Sequence, residues 1–263
     1  EDEPFFELVR LEFGSLAIDQ RSNAQGEAPN VFSPALINGS VYVGTESAVR
    51  RFDPITLAQT GESDPVEAQN AFFNDPFVYV RTDGSNSVVL ARVFEEDVSD
   101  RAEVYSFNPV TMALSLLTAF DGDAGEDFGA GDFDGGVYYF PAAFEEKPGG
   151  GLDRQIHTSD GRKTAAPVEV EAIAFGDTVA FAWLADKDTS QQWTAIIDKT
   201  ALVNDMQVNV LTQDELDADF LPIESSVISV TGDAIIHLAA AFRGRQLLRV
   251  YKGAELVQQA EKA

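Results

Sequence analysis

The sequence predicts an all-β protein, a β-propeller of five or six four-stranded blades, and three observations carry that expectation. No stretch keeps a helical period, whereas short β-branched and aromatic runs alternate with Gly, Asp, Asn and Pro turns along the whole chain. One unit, an apolar strand, a tight turn and a second apolar strand, recurs five times. Each copy is followed by a third strand that ends in a turn of its own, and then by a fourth strand, the pattern of propeller blades. An open β-sandwich or a solenoid is the alternative architecture.

Taken in order, Phe5–Phe13 and Ser15–Asp19 read as strands of a sixth blade, or as strands that close the ring with the C-terminal blade. Either way residues 1–263 form a single domain. The first repeated unit runs from Phe32 to Val43 and turns at Asn38-Gly39. The second turns at Asn74-Asp75-Pro76 before Phe77–Val80, and the third at Asp134-Gly135-Gly136 before Val137–Phe140. The fourth turns at Gly176-Asp177 before Thr178–Trp183, and the fifth at Gly232-Asp233 before Ala234–Leu238. Asn-Gly, Asp-Gly and Gly-Asp supply the positive φ that two-residue hairpins demand.

The third strands are Ala48–Phe52, Glu103–Phe107, Arg154–Thr158, Trp193–Ile197 and Leu247–Tyr251. They end respectively at Asp53-Pro54-Ile55-Thr56, Asn108-Pro109-Val110-Thr111, Ser159-Asp160-Gly161, Asp198-Lys199-Thr200 and Lys252-Gly253. In Asp/Asn-Pro-x-Thr the first side chain caps a type I turn and Pro presets the next φ. Ala113–Leu117 and Met206–Val210 exemplify the fourth strand.

The phrase Ile37-Asn-Gly-Ser-Val-Tyr-Val43, followed by Arg51-Phe-Asp-Pro-Ile-Thr-Leu57, is similar to repeats of the quinoprotein-like and YncE-like propeller families. The likeness covers most of residues 30–255 and implies propeller architecture only. Quinoprotein repeats carry a docking Trp at regular places; this chain has Trp183 and Trp193 alone, ten residues apart.

Composition narrows the function classes. Forty-four acids against 18 bases give a net charge of −26, which repels phosphate backbones and anionic lipid surfaces and disfavours nucleic acid as a partner. Such a balance suits cations, cationic partners or a salt-adapted exported protein, at the cell surface, outside the cell or in the periplasm. Cysteine is absent, so disulfides, thiolate metal sites and cysteine nucleophiles are excluded. No stretch approaches the roughly 20 apolar residues of a membrane span, so membrane insertion through such a helix is not expected.

Three groups of residues are candidates for a site. Asp121, Asp123, Asp127 and Asp132 lie in a Gly-rich acidic stretch, and several carboxylates on a flexible loop are what a structural calcium ion requires. Phe128-Gly-Ala-Gly-Asp-Phe-Asp-Gly135 also resembles the calcium repeat of integrin-type propellers, although Gly136-Val137 stand where that family continues with Asp and Gly. Trp183 and Trp193 offer aromatic faces for a ligand, and Arg154 and His157 sit together on one predicted third strand. Longer insertions are expected at Thr82–Ser87 with Glu95–Asp100, and at Phe144–Asp153, and such loops are where propellers place binding residues. Neither His157 nor His237 has zinc-ligand spacing, and no Gly-x-Ser-x-Gly elbow is present.

The expectation is therefore an exported propeller that binds a small ligand, glycan or protein partner without covalent chemistry. It has no cofactor beyond a structural calcium. The alternatives are a carbohydrate-active hydrolase with axial carboxylates and a scaffold subunit of a cell-envelope complex.

Overall fold

The structure is a computed structural model that describes residues 5–6, 8–11, 18–22, 25–26, 34–45, 47–66, 77–95, 98–121, 131–146, 152–164, 170–186, 191–217, 219–230, 233–241 and 244–262. The chain divides into two compact units, Glu1–Asp121 and Gly122–Ala263.

The first unit opens with the short strands β1 (Phe5–Phe6), β2 (Val9–Leu11), β3 (Ile18–Arg21) and β4 (Gln25–Gly26). β1 pairs with β4, and β2 pairs with β3. Blade 1 follows as β5 (Ala35–Ile37), β6 (Ser40–Gly44), β7 (Val49–Phe52) and β8 (Gln59–Glu62). Blade 2 is β9 (Phe77–Thr82), β10 (Ser87–Glu95), β11 (Val98–Asn108) and β12 (Ala113–Asp121). In both, each strand pairs antiparallel with the next, which is the up-and-down meander of a propeller blade.

The second unit continues the pattern. Blade 3 is β13 (Asp132–Asp134), β14 (Val137–Glu146) and β15 (Leu152–Thr158). Among the described residues its fourth strand is represented by a bridge between His157 and Lys163, where the Thr164 hydroxyl accepts the Ile156 N–H at 3.2 Å. Blade 4 is β16 (Val170–Phe175), β17 (Val179–Asp186), β18 (Gln191–Asp198), helix α1 (Lys199–Asp205) and β19 (Val210–Leu216). Blade 5 is β20 (Phe220–Val230), β21 (Ala234–Ala241), β22 (Gln246–Lys252) and β23 (Glu255–Lys262), all consecutive strands. Meander sheets packed on neighbours through both faces define the fold as a β-propeller.

The packing explains the composition of the strands. One face of blade 4, with Phe181, Trp183 and Ile196, packs against Phe220, Ile235, Leu247 and Tyr251 of blade 5. The other face, with Ile173, Phe175, Ala180, Ala182 and Ile197, packs against Tyr139 and Ile156 of blade 3. A strand covered on both sides needs no polar alternation, and Val179–Trp183 accordingly reads as an unbroken buried run. In the first unit Tyr42 and Val49 pack against Val78, Val89 and Phe107 of blade 2, while Val43 and Phe52 face Leu8.

The turns follow the predicted chemistry at several places. Asn38 and Gly39 have φ of 49° and 76°, and Gly135 and Gly136 have 57° and 83°, as two-residue hairpins require. The Asp53 carboxylate accepts from Ile55 N and Thr56 N, and the Asn108 carbonyl oxygen accepts from Val110 N and Thr111 N. Each of these turns closes with a buried residue of positive φ, Leu57 in one and Met112 in the other.

Elsewhere the structure departs from the sequence reading. Phe77–Val80 opens blade 2 as β9 instead of serving as its second strand; Asn74-Asp75-Pro76 lies outside the described residues. Thr82–Ser87 is a tight turn, because Asp83 caps Ser85 N and Asn86 N and the Thr82 hydroxyl accepts from Gly84 N. The acidic stretch Glu95–Asp100 lengthens the β10–β11 hairpin, with Glu95 opposite Val98. Asp198-Lys199-Thr200 starts a helix, since the same capping side chain that closes a turn in blades 1 and 2 here caps Thr200 N and Ala201 N. Met206 is that helix's C-cap, so β19 begins only at Val210.

One repeated feature has no sequence signature. In each four-stranded blade the outermost strand carries one extra residue against its partner, namely Thr60, Leu117, Leu211 and Val257. Such bulges twist an edge strand and turn a side chain outward.

Candidate functional site

In a meander blade the turn between the first two strands and the turn between the last two lie at the same end. In the second unit this end gathers several polar groups. Asp132 begins β13, and its carboxylate accepts from Phe133 N and from Phe175 N of blade 4, both at 2.8 Å. Burial pushes its pKa up and Asp134 adds to the rise, while the two N–H donors and Lys199 pull the other way. Asp134 pairs with Lys199 Nζ at 2.6 Å. The same ammonium donates to Gly176 O at 2.9 Å and lies 5.5 Å from the centre of the Phe175 ring.

Asp233 forms the corresponding link from blade 5. It sits at φ 62° in the β20–β21 turn and accepts from Thr178 N at 2.5 Å and the Thr178 hydroxyl at 2.6 Å. Partial desolvation opposes ionisation, but the bonds from Thr178 and Val179 outweigh it and hold the carboxyl below the usual range.

Carbonyls of the second turn are tied to the preceding sheet in a regular way. Arg10 of the β2–β3 hairpin donates to Pro54 O and Ile55 O of blade 1. Tyr42 of blade 1 donates to Pro109 O of blade 2 at 2.8 Å. Arg162 of blade 3 reaches Val203 O of blade 4, and the Thr212 hydroxyl of blade 4 reaches Ala254 O of blade 5. Within each unit, polar groups in these turns thus hold neighbouring sheets together, while other polar side chains there, such as Asn38, Asp83 and Asp177, are exposed. Ile55 and Val110, at matching positions of the Asp-Pro-Ile-Thr and Asn-Pro-Val-Thr turns, are 68% and 75% exposed.

The candidate residues from the sequence are scattered. Trp183 is wholly buried in the blade 4–blade 5 core and donates its indole N–H to Gln192. Trp193 is half-buried and lies on the other side of the sheet: Trp183 is opposite Thr194, whereas Trp193 is opposite Leu184. The two indoles therefore do not share a platform. His157 is buried beside Phe140, and desolvation, with Lys163 nearby, lowers its pKa to about 3. Arg154 lies three residues earlier on β15, opposite Ala143. Asp121 ends β12, Asp132 occupies the junction described above, and Asp123 and Asp127 lie outside the described residues. Among the described residues no three His, Asp or Glu side chains converge on a metal position. Sequence reasoning missed Lys199, Ile55 and Val110; an aliphatic residue repeated at the same place in two capped turns was the available signal for the last two.

The fold is a β-propeller in which, within each unit, turns of one blade are hydrogen-bonded to the neighbouring sheet. No family model matches the sequence, and no curated protein matches it at a significant level. Solved structures share its fold. A Bacteroides caccae protein of unknown function is similar over 99% of this chain and 94% of its own, with a TM-score of 0.53 and 10% identity. BBS1N, crystallised in complex with ARL6DN, is similar over 92% of this chain and 71% of its own, with a TM-score of 0.53 and 11% identity.

Proposed function

We propose that the chain is a recognition module that binds a protein partner through the turn end of its blades, without catalysis. One observation carries the reading. In the first unit Arg10 and Tyr42 tie the carbonyls of Pro54, Ile55 and Pro109 to neighbouring sheets, while the Ile55 and Val110 side chains are held out to solvent at repeated positions. Preformed turns that present aliphatic side chains bind without first ordering a loop, which lowers the cost of association. BBS1N, which shares the fold, is found in complex with a protein, ARL6DN. The proposal extends to an exported protein, since a charge of −26 keeps a chain soluble in salt-rich surroundings.

The test is cross-linking of the wild-type chain and of an Ile55→Asp/Val110→Asp variant in an extract of the source cells, with cross-links mapped by mass spectrometry. A partner cross-linked around residues 53–57 and 108–112, and lost in the variant, is the expected result. Glycan hydrolysis by the purified chain that disappears in Asp132→Asn would overturn it in favour of a hydrolase.

A further inference from the structure

We propose that β2 and β3 are the outer half of a sixth blade, and that the free edge of β2 takes up a strand of a partner protein in which a tyrosine is flanked by aliphatic residues. The proposal rests on the recognition reading and adds a second contact and the chemistry of its occupant. The starting point is an internal repeat. Val9↔Arg21, Arg10↔Gln20 and Leu11↔Ile18 recur between β7 and β8 as Arg50↔Glu62, Arg51↔Gly61 and Phe52↔Gln59, with one extra residue, Asp19 or Thr60, at the same place. Leu8 N–H donates to the Ser22 hydroxyl at 2.8 Å, and Val49 N–H to the Ser63 hydroxyl at 3.0 Å. Arg10 donates to Asp19 and to Pro54 O, as Arg51 donates to Thr60 and to Pro109 O. The connecting sequences also correspond, Glu12-Phe-Gly-Ser-Leu-Ala17 with Asp53-Pro-Ile-Thr-Leu-Ala58. β2 and β3 therefore hold the places of a third and a fourth strand.

In blade 1 the other edge of the third strand is covered by β6, with Val41, Tyr42 and Val43 opposite Phe52, Arg51 and Arg50. Among the described residues β2 pairs with β3 alone. Leu8 spends its N–H and its carbonyl on Ser22, so by strand alternation Val9 and Leu11 direct theirs to the opposite edge. Val9 is 42% exposed, whereas its counterpart Arg50, beside β6, is 8% exposed. An uncovered edge of this kind is a template for strand addition. Blade 1 supplies the pattern of the occupant: aliphatic residues opposite Val9 and Leu11, and a tyrosine opposite Arg10. In blade 1 the hydroxyl of that tyrosine, Tyr42, donates to Pro109 O at 2.8 Å beside Arg51; the corresponding acceptor for the occupant is Pro54 O.

The probe is a synthetic peptide with the sequence of residues 35–44 and a lysine tail for solubility, titrated by fluorescence anisotropy. A scrambled peptide with the same tail is the control and is expected not to bind. Val9→Pro removes an N–H from the free edge and leaves the bonds to β3 in place. It is expected to weaken the peptide by about tenfold or more with an unchanged circular dichroism spectrum. Replacing the tyrosine of the peptide by alanine should weaken binding to the wild type as well. Hydrogen exchange gives a second readout: the Val9 and Leu11 amides should exchange quickly in the free chain and slow when the peptide binds. Protection of both amides in the free chain overturns the proposal, as does equal affinity of the wild type and Val9→Pro. A dimer of the chain that Val9→Pro dissociates makes a second copy the occupant and overturns it too. Failure here with an intact cross-link at Ile55 and Val110 removes the β2 edge alone; loss of that cross-link in the wild type removes the recognition reading itself.

Discussion

Asp233 and Thr178 are 55 residues apart, yet one carboxylate takes both the backbone N–H and the hydroxyl of Thr178 at 2.5 and 2.6 Å. The bond joins the first hairpin of blade 5 to that of blade 4. Asp233→Ala removes the acceptor and also places a residue with a Cβ but no local side-chain bond at φ 62°. A loss of about 1–3 kcal/mol in urea unfolding is expected. Asp233→Asn keeps one acceptor and tolerates the left-handed conformation, so its loss should be the smaller of the two.

Asp132 makes a similar junction under different electrostatics. Its carboxyl is buried enough to favour the neutral form, so ionisation works against the fold as pH rises through and above 3.8. Asp132→Asn keeps an acceptor for Phe175 N without the charge, and should be at least as stable as the wild type at pH 7. That advantage should shrink as the pH is brought down toward 4. Asp132→Ala leaves a buried N–H without its acceptor and should cost about 1–3 kcal/mol. Thermal melts of both variants at the two pH values give the comparison.

His237 is buried against Phe181 and Trp183, across from Arg249 on β22. Desolvation, with Arg249 adding to it, lowers its pKa to about 3 from 6.5. The sign follows from linkage: a histidine held neutral in the fold contributes its stability fully above pH 6.5 and loses it as pH falls toward 3. Between pH 6.5 and 4.5 the loss should approach about 1.4 kcal/mol per pH unit for each such histidine. A His237→Phe variant that still folds should show a shallower fall in Tm across that window than the wild type. Identical slopes would mean that this imidazole does not resist protonation.

Gly44 marks a close approach between blades 1 and 2. A Cβ there would lie 1.9 Å from Val78 O, and the adjacent Thr45 O accepts Val78 N at 3.1 Å. Since backbone rather than a flexible side chain stands in the way, Gly44→Ala must push the blades apart. A drop in Tm of several degrees is expected, for a cost of about 1–3 kcal/mol. Gly39→Ala, where nothing lies within 4 Å, is limited to the strain of a positive φ and should cost less.

The parts of the fold that were legible in the sequence are those decided within a few residues. Asn38-Gly39 and Asp134-Gly135-Gly136 specify hairpins because few other residues accept those angles. Asp53 and Asn108 cap turns because their side chains reach N–H groups two and three positions ahead. Asp198 uses the same local bond, yet whether a turn or a helix follows it depends on Leu202 finding a buried place among Ile173, Ile197 and their neighbours. Phe77–Val80 has the pattern of any apolar strand, so its place within the blade is decided by pairing with Val89–Arg92. The site was less legible still. Asp132 meets Phe175 across 43 residues, and nothing near either residue announces the partner. The bulges at Leu117 and Leu211 are properties of a pair of strands and leave no mark on one of them.

That each blade is made of consecutive strands sets the order in which the chain can acquire structure during synthesis. Pairings such as Val88 with Ser106, or Leu247 with Glu261, close over fewer than 20 residues. Closing them costs little entropy, so a blade can form soon after its fourth strand leaves the ribosome. Its apolar faces then wait for the next blade, and blade 4 cannot shield Phe181 and Trp183 until Ile235 and Leu247 have been made. A chain halted between residues 216 and 234 would carry a finished sheet with one uncovered face, and that nascent species is where aggregation should concentrate.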